Sequence, residues 1–159
     1  MLKKILTVIL LSTVAMAAVA CSGKASAAQV KARWIEPATS GDTVSLSVND
    51  IVKSRIVHFR LNSVTGRPAF MAYQFNDEII VRSNICPPCR SVGFSLKGSE
   101  LVCDTCGTRF LAASGEGIAG PCVAYPKASV TYNNTGDQIV LTQDNLIKAY
   151  QDTLEPGLN

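Results

Sequence analysis

Two Cys-x-x-Cys pairs constrain this chain more than any other feature. Cys86-Pro87-Pro88-Cys89 is followed, after thirteen residues, by Cys103-Asp104-Thr105-Cys106-Gly107, and a further cysteine stands at Cys122. Each pair sets two sulfurs on one tight turn, so two neighbouring turns can aim four thiolates at a single tetrahedral centre. Zinc, iron or an iron–sulfur cluster accepts that donor set. The same spacing suits two disulfides in an exported protein, or a structural zinc knuckle without chemistry. A thioredoxin-type dithiol needs a preceding βα unit, and none precedes Cys86.

The residues between the pairs explain how the turns meet. Ser91 to Gly98 reads as a strand and turn, and Glu100-Leu101-Val102 as the returning strand, a hairpin that sets the two turns side by side. Gly107 supplies positive φ where the chain must curl its N–H groups toward sulfur. Pro87 and Pro88 stiffen the first turn and remove two donors, so the first pair is expected to be the less hydrogen-bonded half.

Around this stretch the pattern is mostly β. Val44, Leu46 and Val48 alternate with polar residues, and Asn49-Asp50 reads as a turn. From Arg55 to Leu61 one face carries Val57, Phe59 and Leu61 and the other Ile56, His58 and Arg60. His58, the only histidine, is thereby expected at the surface, and Trp34, the only tryptophan, in the core. Ala69 to Phe75 and Glu78 to Ile85 form the next two strands, the second delivering the chain to Cys86. Ser114 to Pro121 is glycine-rich, reads as an irregular loop, and can place Cys122 over the site as a lid or extra ligand. Ser129 to Tyr132 and Gln138 to Leu141 flank the hairpin turn Asn133-Asn134-Thr135-Gly136. Thr142 or Asp144 caps a short C-terminal helix with Leu146, Tyr150 and Leu154 on one stripe.

The first residues read as an export signal. Lys3 and Lys4 precede an uncharged run from Ile5 to Ala20, which ends in Ala18-Val19-Ala20-Cys21-Ser22. Small residues before a cysteine resemble a lipobox, in which Cys21 becomes lipid-modified and starts the mature chain. Cleavage after Ala25-Ser26-Ala27, or retention as an anchor, is the alternative. The resulting division is 1–21 signal peptide with lipobox, 22–40 a tether leading into the domain, and 41–159 a metal-binding β domain with cysteine loops at 86–122. Setting Lys3 and Lys4 aside from 15 Lys and Arg leaves 13 bases against 12 acids. A near-neutral mature chain with no basic cluster gives nucleic acid no footprint. One histidine, no G-x-S-x-G, no phosphate loop and no H-E-x-x-H argue against a catalyst.

From Val48 to Leu154 the chain resembles the bacterial membrane iron–sulfur (FtrD-like) family. The strand before Cys86, the Cys86/Cys89 pair, Gly93-Phe94, Leu101-Val102-Cys103-Asp104-Thr105-Cys106-Gly107-Thr108-Arg109-Phe110 and the single Cys122 carry the likeness. Where the family reads Gly-Gly-Cys-Asn-Pro, this chain has Gly120-Pro121-Cys122-Val123-Ala124-Tyr125-Pro126. Arg90 stands where the family usually has an aromatic. A looser resemblance is to Rieske-type domains, which share the order strand, ligand pair, hairpin, ligand pair and Gly-Pro loop, matched here by Gly120-Pro121. An all-cysteine cluster would sit at lower potential than a Rieske centre, because thiolate carries more negative charge than imidazole.

The resemblance implies an iron–sulfur cluster or iron, with zinc the alternative, held by Cys86, Cys89, Cys103 and Cys106, and a membrane redox or iron-transport partner. The implied fold is mostly β, antiparallel strands and hairpins with a Rieske-like or zinc-ribbon-like subdomain and a short C-terminal helix. The implied place is the extracytoplasmic side of the cell membrane, anchored by lipid at Cys21. The signal pulls against a cluster loaded before export, since Lys3-Lys4 is not an arginine pair and implies export unfolded. A zinc-stapled or disulfide-stabilised binding domain without redox activity remains the competing reading.

Overall fold

A computed structural model describes residues 27–62 and 66–157 of the 159-residue chain. The expected signal, the lipobox cysteine Cys21 and the first part of the tether lie outside the described residues.

The domain begins with three short strands, β1 (Gln29–Lys31), β2 (Arg33–Trp34) and β3 (Ala38–Ser40), followed by β4 (Thr43–Ser47). Helix α1 (Val48–Ser54) replaces the turn expected at Asn49-Asp50. Its N-cap is Ser47, whose hydroxyl accepts the Asp50 N–H, and Asp50 suits the positive helix start. Three strands follow, β5 (Ile56–Arg60), β6 (Ala69–Phe75) and β7 (Glu78–Ser83), each antiparallel to the last. The cysteine region contributes β8 (Phe94–Lys97), β9 (Glu100–Cys103), β10 (Arg109–Leu111) and β11 (Gly117–Ala119). The chain closes with β12 (Asn133–Asn134), β13 (Gln138–Thr142) and α2 (Gln143–Leu154).

These strands make three sheets, ordered β1-β8-β9-β10-β11, β2-β5-β6-β7 and β12-β13-β4-β3. The β2-β5-β6-β7 sheet is central, and strand alternation sends its side chains into two separate cores. On one face Val57, Phe59, Phe70, Ala72, Ile79 and Val81 pack against β4, β13, α1 and α2. On the other, Ile56, Met71 and Tyr73 pack against Phe94, Leu96, Leu101, Phe110 and the cysteines. The cysteine sheet is thus the second layer of a packed sandwich. Burying Phe94 and Phe110 in it contributes about 2–3 kcal/mol each.

That two-sided burial corrects the reading of His58. It is buried, 2% exposed, because the face it shares with Ile56 lies under the cysteine sheet rather than in water. Trp34 is corrected the other way. It is 46% exposed on edge strand β2, its ring edge-on to His58 at 5.0 Å and beneath the Arg60 guanidinium at 4.8 Å. The glycine-rich stretch holds a real strand, β11, paired with β10 across a register shift. Ser129 forms only an isolated bridge to Arg82, and the strand expected from Ser129 to Tyr132 begins at Asn133. Helix α2 has Thr142 as its N-cap but buries Leu146, Ala149 and Thr153, leaving Leu154 exposed. The Thr153 hydroxyl is satisfied inside by the Ala149 carbonyl, which lets a polar residue face the core.

Candidate metal centre

β7 ends at Ser83, and only Asn84 and Ile85 separate it from Cys86. The Asn84 side-chain amide donates to the Val92 carbonyl at 2.9 Å, and the Cys86 N–H to the Ser91 carbonyl at 2.8 Å. These bonds close the first turn against the start of the β8–β9 hairpin. The second turn joins β9 to β10, with the Cys103 N–H on the Thr108 carbonyl and the Gly107 N–H on the Cys103 carbonyl. Gly107 has φ of 72°, as its place in the curl requires. The Asp104 N–H donates to the Gly93 carbonyl at 2.9 Å, and the Thr105 hydroxyl meets the Ser91 hydroxyl at 2.9 Å. The two turns are therefore bonded to each other, and not merely adjacent.

All five cysteines of the region converge. The sulfurs of Cys86, Cys89, Cys106 and Cys122 lie within 4.8 Å of one another. Cys103 stands beside them, its sulfur 3.7 Å from that of Cys89, and Cys106 is 3.7 Å from Cys122. The five are free thiols, and 3.7 Å is far beyond a sulfur–sulfur bond. It does match the edge of a tetrahedron with metal–sulfur bonds of about 2.3 Å, whose corners lie about 3.8 Å apart. Softness and number of the donors fit an iron–sulfur centre, and the spacing suits sulfurs that share a tetrahedral metal.

Cys122 arrives by close backbone approach. Gly120 has φ of 119°, and a β-carbon there would lie 2.6 Å from the Thr108 α-carbon. The absence of that side chain lets the 117–122 segment press onto the second turn, where the Cys122 N–H donates to the Thr108 hydroxyl at 3.2 Å. The same hydroxyl lies 3.1 Å from the Cys106 sulfur.

The thiols form one hydrogen-bonded array. Cys103 is pulled down to about 4, first by the bond from Cys86 and then, against its burial, by the N–H groups of Cys106 and Thr105 and the Ser91 hydroxyl. Cys86 is pushed up by that same bond to Cys103 and by burial. At Cys122, burial pushes the thiol up but is outweighed by hydrogen bonds with Cys86, Cys106, Thr108 and Cys89, so the net shift is downward. Cys89 is raised to about 11, chiefly by burial, with one backbone N–H, from Ser91, opposing. The first pair is thus the less hydrogen-bonded, as Pro87-Pro88 foretells. Cys103 and Cys122 are thus held toward thiolate, the form a metal binds, while Cys86 and Cys89 keep their protons until a metal displaces them.

Phe94 and Phe110 pack edge to face at 5.9 Å and form an apolar wall. Cys86, Cys103 and Cys122 are buried, while Cys89 and Cys106 are half-buried, so one edge of the centre approaches solvent. Two buried cations escaped the sequence reading. Arg82 fans its guanidinium onto the Tyr73 hydroxyl and the Lys127 and Ala113 carbonyls at 2.9, 2.7 and 2.6 Å. Lys127 points its ammonium at the Ile85 carbonyl, 2.8 Å away. Neither carries a motif; a lone lysine between Pro126 and Ala128 offers no pattern to read.

The family described as membrane iron-sulfur containing protein FtrD-like matches residues 51–152. No curated protein matches. Among solved structures, a chain in the complex of reduced oxygenase and oxidized ferredoxin in carbazole 1,9a-dioxygenase is similar, with a TM-score of 0.51 and 18% identity over 64% of this chain and 94% of that one. Sphingomonas yanoikuyae B1 ferredoxin is similar at a TM-score of 0.43 and 22% identity, over 50% of this chain and 79% of that one.

Proposed function

The chain belongs to the family of FtrD-like membrane iron–sulfur containing proteins, and on that premise we propose that it is a membrane-anchored electron carrier on the extracytoplasmic side, serving iron uptake or a related redox chain. Its cofactor is iron–sulfur, carried by the converging cysteine sulfurs. An iron–sulfur centre, when bound, supplies one-electron redox chemistry. The observation that carries the reading is the convergence of five cysteine sulfurs, four from two turns bonded to each other and one from the segment that closes over them, with Cys89–Cys103 and Cys106–Cys122 each at 3.7 Å.

The proposed ligands are Cys86, Cys89, Cys103 and Cys106, with Cys122 the additional sulfur that closes the site. The two turns hold the thiolates, N–H and hydroxyl donors neutralise part of their charge, and the Phe94–Phe110 wall excludes water. The rim at Cys89 and Cys106, with exposed Val123 beside Cys122, is the proposed point of contact with a redox partner. Anchoring is assigned to lipid at Cys21, on the small residues Ala18-Val19-Ala20 that precede it. Lys3-Lys4 favours export unfolded, and the centre is then loaded after export.

A second reading has its own support. Cys86, Cys89, Cys106 and Cys122 are close enough together to surround one ion, so a single iron or zinc also satisfies the geometry. Redox titration of anaerobically prepared full-length protein separates the two. A reversible one-electron step that bleaches visible absorption supports the electron carrier; a colourless, redox-silent protein holding one zinc replaces it with a stapled binding domain. Replacing Cys21 by alanine is expected to release the protein from the membrane fraction, and continued membrane residence would remove the lipid anchor from the proposal.

A further inference from the structure

Lys127 is 1% exposed, yet it carries an ammonium group. Among the described residues its Nζ has a single hydrogen-bond acceptor, the Ile85 carbonyl at 2.8 Å, next to Cys86. It also lies over the rings of Phe110 and Phe94, with centroids 4.5 and 5.5 Å from Nζ. No ion pair among the described residues includes Lys127. A buried cation with one carbonyl and two rings is poorly compensated, and burying such a group is costly unless opposite charge is close. The opposite charge is the sulfur array. Burial lowers Lys127 and is opposed by the charges of Cys86, Cys103, Cys122 and Cys89, in that order, which leaves it at about 8.

The backbone keeps the lysine there. The Lys127 N–H donates to the Gly115 carbonyl at 2.9 Å, and its own carbonyl accepts from Arg82. A β-carbon at Gly115 would stand 2.3 Å from that carbonyl, so the loop's closeness to Lys127 depends on glycine. Arg82 is satisfied by three acceptors and acts as a strut; Lys127 is the cation left with its ammonium on the Ile85 carbonyl, next to Cys86, and over the aromatic wall of the site.

We propose that Lys127 is the fixed counter-charge of the iron–sulfur centre and sets its reduction potential, a role that rests on the electron-carrier reading above. One electron taken up by the centre adds one negative charge, with no proton or bond exchanged. A cation at fixed, dry distance stabilises the more negative state and raises the potential. Because the group is buried, dissolved salt screens it weakly.

The test is the midpoint potential of anaerobically loaded full-length protein, titrated with dithionite, for wild type, Lys127→Met, Lys127→Gln and Lys127→Arg, with iron and sulfide counted in each. Met and Gln are expected to lower the equilibrium constant for reduction at least tenfold, about 59 mV for one electron. Arg is expected to restore most of it, and the shift to persist at high salt. If the Met and Gln variants fail to keep iron while Arg keeps it, the need for a cation is shown by retention instead. Met and Gln variants loaded like wild type with unchanged potential overturn the proposal. So does loss of iron in all three variants, which would mean that Lys127 acts by shape. Wild type without iron and sulfide rejects the electron-carrier reading itself.

Discussion

The hydroxyl of Thr108 lies 3.1 Å from the sulfur of Cys106. The same oxygen accepts the N–H of Cys122 at 3.2 Å. One buried side chain therefore ties the second Cys-x-x-Cys turn to the segment that closes over it.

That position makes Thr108→Val a sharp probe. Valine keeps the volume but removes the sulfur contact and leaves the Cys122 N–H buried without a partner, a loss of about 1–3 kcal/mol. The reduction potential is expected to fall, since a donor no longer draws charge from sulfur. Thermal melting and a redox titration of the loaded variant check both effects, with Thr108→Ser expected to retain most of each. An unchanged potential in a well-loaded Val variant would show that the contact does not bear on the metal.

Gly120→Ala tests how Cys122 is delivered. The new β-carbon would overlap the Thr108 α-carbon, and φ of 119° is unfavourable to alanine. The 117–122 segment must lift, moving Cys122 away from Cys106. Slower iron retention under a chelator and faster alkylation of Cys122 are the expected results. Retention equal to wild type would mean that the closing segment is not needed to hold iron.

His58 gives a pH signature. It is the only histidine, its Nε2 has no hydrogen-bond partner among the described residues, and its pKa is lowered to about 4. Burial is the main cause; its hydrogen bond to the Phe94 backbone opposes, and the Arg60 charge adds to the lowering. A histidine depressed below its unfolded value of 6.5 must stay neutral in the fold. Its contribution is complete above pH 6.5 and is lost as pH falls toward 4, by about 3 kcal/mol at most. Denaturant unfolding of metal-free wild type and His58→Phe is the check. Wild type should lose stability relative to the variant across that window, and parallel pH profiles would contradict it.

How far the chain could be read depended on local chemistry. The cysteine turns, Gly107, the β8–β9 hairpin, the strand leading to Cys86 and the Thr142 cap each follow from neighbours in sequence, and each is present. His58 and Trp34 were misread because alternation identifies two faces but not what covers them. Here the cysteine layer covers the face that carries His58, while β2 lies at a sheet edge and leaves Trp34 in water. The strand at Gly117–Ala119 was hidden because glycine argues for a loop, although here it permits backbone contact with Val123. Lys127 acts through a partner 42 residues away that no local spacing marks, and Thr108, though two residues from Cys106, also takes the N–H of Cys122, which lies 14 residues on.

The central claim is that these sulfurs hold iron and sulfide together, and the direct measurement is iron and acid-labile sulfide per chain in protein prepared without oxygen. Equal, stoichiometric amounts of both, with visible charge-transfer absorption lost on serine replacement in either Cys-x-x-Cys turn, are predicted. One zinc per chain with no sulfide, or fewer than five reactive thiols among Cys86, Cys89, Cys103, Cys106 and Cys122 after denaturation without reductant, would contradict it.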